Sequence, residues 1–276
     1  MNKTIKLAFS PCPNDTFIFD ALVHKRIDTE GLDFEFFIDD VEALNKMAFG
    51  HKFEVSKMSF HAYVLAAEAY VCQNSGAAFC DNFGPVVVAR NDSHADTKPT
   101  TVAVPGLHTT AALLYKIFFG DVPLTPYLFT EIENVVASGK ADRGIIIHEN
   151  VFTFQNKGLI EIDNLGKRWQ NTFGLPVPLG CIAVSRKLDK PLQLKIDKLI
   201  KESILYALNH PDTAMPFIKK NAANLDEKII KKHIETYVNA YSLALDNKAR
   251  KAVRLIFEKS FDMGIINALP ETMFLP

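Results

Sequence analysis

Short apolar runs alternate along this chain with longer stretches in which apolar positions recur every three or four residues. Ile5-Lys6-Leu7-Ala8-Phe9 predicts a first strand, and Leu32-Asp33-Phe34-Glu35-Phe36-Phe37-Ile38, with period-two alternation, predicts a second. Val55-Ser56-Lys57-Met58-Ser59-Phe60-His61 is a third junction, leading into a helix over 62–70. Further strands are predicted at 86–89, 101–104, 144–147 and 179–185, with helices at 17–24, 111–119 and 130–138. From Pro191 onward the pattern is helical, over 196–208, 214–219, 225–237 and 247–263. Residues 152–162 read as a hairpin region. Residues 168–176 read as an irregular aromatic stretch holding the only tryptophan, Trp169, either as core or as an apolar wall for a flat ligand. Strands alternating with helices predict an α/β protein.

The polar, turn-rich stretch 91–99 is the best domain boundary in the chain. Strand–helix alternation occurs on both sides of it, and the helical tail needs a sheet to cover. The economical arrangement is a discontinuous large α/β domain, 1–90 plus 181–276, with 91–180 inserted as a smaller α/β domain. Two crossings, near Arg90 and Gly180, would frame a hinged ligand cleft between two lobes.

Bulk properties narrow the partners. The chain has 276 residues, 48% of them apolar, which is enough to bury a core. Its 31 basic and 32 acidic residues leave a net charge of −1, so no bulk field draws it to nucleic acid or to a membrane. No apolar run reaches the ~18 residues of a membrane span. The opening MNKTIKLAFS enters a strand without the apolar core and cleavage site of a signal peptide, so a cytoplasmic location is expected. Cys12, Cys72, Cys80 and Cys181 form no C-x-x-C pair and show no metal-ligand spacing with the histidines; reduced thiols and no metal are expected.

The candidate chemistry sits at strand-to-helix junctions. Gly144-Ile145-Ile146-Ile147-His148-Glu149-Asn150 is a buried strand ending abruptly in a histidine, and ligands of open α/β sheets collect outside the carboxyl ends of strands. A lone histidine is more often structural than catalytic. Ser59, with Lys57 two residues earlier, stands where a helix cap would stand and caps its helix or binds an anion. Thr109 and Thr110 fall in the first turn of the 111–119 helix, whose backbone N–H groups lack helical partners and favour a carboxylate or phosphate. Asn14, Asp15 or Thr16 can cap the helix from Phe17, and Asp39 or Asp40 the helix that follows the second strand. Neither a G-x-x-x-x-G-K loop nor G-x-G-x-x-G is present, which disfavours nucleotides, and no cofactor is expected. The expected partner is a small carboxylate.

Ser10-Pro11-Cys12-Pro13-Asn14-Asp15-Thr16-Phe17, Asp40-Val41-Glu42-Ala43-Leu44-Asn45 and Lys57-Met58-Ser59-Phe60 resemble segments of the 1,4-dihydroxy-6-naphthoate synthases of the futalosine route to menaquinone. So do Gly106-Leu107-His108-Thr109-Thr110-Ala111 and Gly144-Ile145-Ile146-Ile147-His148-Glu149. The resemblance runs over nearly the whole chain. It implies a type II periplasmic-binding-protein-like fold turned to catalysis. The implied reaction is conversion of cyclic dehypoxanthinyl futalosine to 1,4-dihydroxy-6-naphthoate, with release of dihydroxyacetone. It also implies His148 as proton acceptor, Lys57, Met58, Ser59, Thr109 and Thr110 as substrate-binding positions, and Asp40 and Asn45 near the cleft. An imidazole of ordinary pKa ~6.5 suits a general base at neutral pH. Competing readings are a non-catalytic small-carboxylate binding protein of the same fold, chorismate dehydratase, and a transcription-factor effector domain that lacks a DNA-binding segment.

Overall fold

The computed structural model describes residues 3–91, 99–222 and 225–276. The chain divides into two compact units, Met1–Phe79 with Gly180–Pro276, and Cys80–Leu179. The first crossing therefore falls at Phe79–Cys80 and not at Arg90, because the strand ending at Arg90 pairs within the sheet of the inserted unit. Most of the 91–99 stretch read as a boundary lies outside the described residues.

In the large unit, β1 (Lys3–Phe9) lies parallel to both β2 (Leu32–Ile38) and β3 (Val55–Ser59). β4 (Tyr70–Cys72) and β5 (Ala78–Cys80) are short strands absent from the sequence reading, which ran a helix to Tyr70. The sheet order is β2-β1-β3-β11-β4, with β5 also on β11 (Val177–Ser185), and β11 runs antiparallel to β3 and β4. Helix α1 (Pro13–Val23) starts earlier than predicted, because Pro13 sits at its first turn, where a missing N–H costs nothing. Asn14, Asp15 and Thr16 are consequently inside the helix and do not cap it. α2 (Val41–Phe49) and α3 (Phe60–Ala66) follow β2 and β3. Ile5, Leu7 and Phe9 share one core with Ile18 and Leu22 of α1, and with Ile196 and Ile200 of the tail. Elsewhere in the unit Tyr63 meets Phe257 edge-on at 5.6 Å.

The inserted unit holds β6 (Val86–Arg90), β7 (Val102–Val104), β8 (Leu124–Pro126), β9 (Arg143–Ile146) and β10 (Leu159–Asn164), ordered β10-β6-β9-β7-β8. β7 is parallel to β9 and β8, whereas β6 is antiparallel to β9 and β10. β10 pairs with β6, far away in sequence, so residues 152–162 are a 3-10 turn and a strand and not a hairpin. α4 (Thr110–Phe119) stops at Gly120, whose φ of 76° suits glycine. α5 (Ile132–Ala137) packs on β9. A Cβ at Gly144 would stand 2.6 Å from Val136 Cγ2 and 2.7 Å from Ile132 Cγ2, so only glycine lets that helix sit so close.

The stretch read as irregular is helix α6 (Leu165–Phe173), capped by Asn164, whose side chain accepts from the Lys167 N–H. Trp169 is wholly buried and its Nε1 donates to the Pro176 carbonyl, so it is core and not a ligand wall. The helical tail comprises α7 (Lys190–Asn209), α8 (Pro211–Asn221), α9 (Glu227–Tyr237), α10 (Ala240–Leu243) and α11 (Asn247–Asp262). Among the described residues no helix is long and apolar enough to cross a membrane.

Candidate active site

The residues singled out from sequence fall into two groups, one in each unit. In the large unit, β3 alternates, so Lys57 and Ser59 share a face and Met58 points to the other. Met58 is wholly buried and lies opposite Cys181 of β11 in the sheet. Lys57 is 6% exposed, and its Nζ donates to Asp15 Oδ1 at 2.6 Å. The Asp15 carboxylate is 1% exposed. It also accepts from the Asn14 side-chain amide at 2.8 Å, the Ser10 hydroxyl at 2.6 Å and the Ser10 N–H at 3.3 Å. The loop over residues 10–16 is thus the wall that fixes the lysine. A Cβ at Gly180 would stand 3.3 Å from Lys57 Cε, so the glycine leaves room for the lysine stem.

Ser59 occupies the cap position of α3 but makes no capping bond. Asn45 of α2 takes it instead: the Asn45 amide donates to Ser59 Oγ at 3.1 Å, and the Ser59 N–H donates to Asn45 Oδ1 at 2.9 Å. Ser59 Oγ is thus an acceptor here, and its own proton can still be donated. Asp40 is the cap of α2, accepting from the N–H groups of Glu42 and Ala43 at 2.9 and 3.3 Å. Burial pushes its carboxyl above the usual range, against the lowering effect of those two bonds. Asp40 thus starts the helix that carries Asn45.

In the inserted unit, Thr109 caps α4: its hydroxyl accepts from the Ala112 N–H at 3.2 Å and donates to the Gly106 carbonyl at 2.8 Å. The Thr110 hydroxyl donates to the Leu179 carbonyl at 2.6 Å. Both threonine protons are therefore held by backbone, and the N–H groups of Thr110 and Ala111 are ones the helix itself leaves without acceptors. β7 and β9 are parallel neighbours, so the turns bearing Thr109 and His148 leave the same end of the sheet. His148 opens a 3-10 turn, His148–Phe152, with φ at 56°. Its half-buried ring meets Phe129 edge-on at 5.0 Å. Burial raises the neighbouring Glu149 carboxyl above its usual range, and the charge of Glu133 adds to the shift.

Sequence reasoning singled out neither Asp15 as the partner of Lys57 nor Asn45 as the holder of Ser59. The only signal was the loop motif itself, since 42 positions separate Asp15 from Lys57.

Residues 5–262 match the family described as menaquinone biosynthesis. A 1,4-dihydroxy-6-naphtoate synthase from Thermus thermophilus is 38% identical over 99% of this chain and 100% of its own. The chain belongs to this family of naphthoate synthases. A crystal structure of a protein from Archaeoglobus fulgidus superposes with a TM-score of 0.89 at 33% identity, over 95% of this chain and 98% of that one. The periplasmic aliphatic sulphonate binding protein of Escherichia coli aligns with a TM-score of 0.65 at 12% identity, over 97% and 90% of the two chains, which shows the shared binding-protein fold. The two-sheet α/β architecture of the naphthoate synthase family is accordingly that of a periplasmic binding protein.

The geometry separates two substitutions that the sequence alone treats alike. Ser59→Ala removes no cap but takes the acceptor from the buried Asn45 amide, so it should cost about 1–3 kcal/mol of stability and also raise KM by the equivalent of about 1–2 kcal/mol, one hydrogen bond to a polar or charged ligand group. Thr110→Val strips the donor from the Leu179 carbonyl and should cost about 1–3 kcal/mol of stability. Steady-state kinetics alongside urea unfolding of both variants checks the contrast; a stable Thr110→Val protein with raised KM would reverse it.

Proposed function

We propose that this chain is a carbon–carbon lyase of menaquinone biosynthesis, converting cyclic dehypoxanthinyl futalosine to 1,4-dihydroxy-6-naphthoate with release of dihydroxyacetone. The observation that carries the reading is the imidazole of His148, set in left-handed backbone at the carboxyl end of β9, in a chain that matches its family almost end to end. His148 is the general base: it takes a proton from the substrate, the carbon–carbon bond breaks, and aromatisation drives the change. The Ser59 hydroxyl and Lys57, with the Met58 backbone, hold substrate oxygens. The first-turn N–H groups behind Thr109 take the carboxylate that persists into the product. Asn45 and Asp40 act by holding Ser59 in place. The substrate is a small molecule and the enzyme works in the cytoplasm.

A likeness to anion-binding proteins favours one rival, a receptor that binds the carboxylate without chemistry. Incubating the purified chain with the cyclic futalosine derivative and following naphthoate absorbance separates the two. Turnover is expected. Saturable binding of the substrate with no product formed would overturn the enzyme reading.

A further inference from the structure

His148 holds a φ of 56°, in the left-handed region that a residue with a Cβ enters at some cost. Contacts from one short stretch, 129–133, brace this turn. Phe129 packs against the imidazole at 5.0 Å. Glu133, on α5, accepts at Oε2 from the side-chain amide of Asn150 at 3.2 Å, and Asn150 lies in the same 3-10 turn that His148 opens. Glu133 is 8% exposed and Asn150 9%, so the bond is shielded from water and neither group is a surface feature. Helix α5 is itself seated hard on β9 by the close approach at Gly144. Phe129, in the turn before α5, thus meets the ring, while Glu133 of α5 holds the turn that His148 opens.

We propose that Glu133 and Asn150 are positioning residues for His148, fixing the turn so that the imidazole stands ready for its proton transfer; this rests on His148 being the base. Burial raises the Glu133 carboxyl above its usual range, partly offset by Lys157, and either protonation state keeps an oxygen that can accept from Asn150. What matters is therefore an acceptor at that oxygen and not a charge.

The test compares Glu133→Leu, Glu133→Gln, Asn150→Ala and His148→Ala by steady-state kinetics and thermal melts. Glu133→Leu and Asn150→Ala are expected to lower kcat by about tenfold or more, with KM within about threefold, since a displaced base affects the chemical step and not ground-state binding. Glu133→Gln, whose amide oxygen still accepts, should stay within about threefold of the parent kcat. Should one of the two disruptive variants fail to melt cooperatively, the other and the rescue decide. Wild-type kcat in both, with turnover lost in His148→Ala, would overturn the proposal and leave the base assignment standing. Equal losses in the Gln and Leu variants would point to packing and overturn it too. Full turnover in His148→Ala would remove the base assignment itself.

Discussion

Replacing His148 with alanine is expected to lower kcat by about 10²–10⁴-fold, the usual contribution of a positioned general base, and to leave the protein folded. The imidazole is half-buried, and its edge-on contact with Phe129 contributes about 0.5–1.5 kcal/mol. Alanine, like histidine, carries a Cβ at φ 56° and adds no bulk, so the turn gains little new strain. Product binding should survive, because the groups proposed to hold the ligand, the Ser59 hydroxyl among them, are untouched by the change. Kinetics with the cyclic substrate, a naphthoate titration and a thermal melt together check this. Loss of kcat with native melting and binding is the expected pattern; a chain that no longer melts cooperatively would assign His148 to structure.

Asp15→Ala should be the most destabilising single change at the site, by about 3–5 kcal/mol. The substitution leaves the Lys57 ammonium, 6% exposed, without its counter-charge and strips acceptors from the Ser10 hydroxyl, the Ser10 N–H and the Asn14 amide. Replacing both ends of the pair, as Asp15→Leu with Lys57→Met, should recover much of the loss, since a buried pair swapped for apolar groups of similar volume is often neutral. Urea unfolding of the two single variants and the double variant gives the coupling directly. An Asp15→Ala protein within about 1 kcal/mol of the parent would mean that water reaches Lys57 and that the pair is not sealed. Activity separates the roles further, for the double variant should fold and still not turn over.

Features written in local pattern could be read from the chain. The alternation over 32–38, the three-to-four spacing of the tail, Asp40 as the cap of α2 and the glycine stop at Gly120 each depend on residues a few positions apart. His148 was placed by the abrupt end of an apolar strand, which is local too. What escaped depends on distant partners. Ser59 looks like a cap by position, but Asn45, fourteen positions upstream, captures it first. β10 looks like half of a hairpin, yet its partner is β6, which lies well upstream and carries the more apolar face. Around Trp169, Gly174 and Pro176 suggested an irregular loop, while Leu165, Trp169 and the Asn164 cap were enough to hold a helix.

The strand order of the large unit sets a timetable for synthesis. β3 and β4 are separated in the sheet by β11, which leaves the ribosome only after the whole of the inserted unit. At ~5–20 residues per second, the roughly one hundred residues between them take about 5–20 s. Throughout that interval the Lys57 strand has β1 on one side and an open edge on the other. The inserted unit, continuous in sequence, can complete its own sheet meanwhile. A nascent chain paused before Gly180 would therefore present β3 as an unpaired edge, a natural binding place for a chaperone and a seed for aggregation where none is at hand.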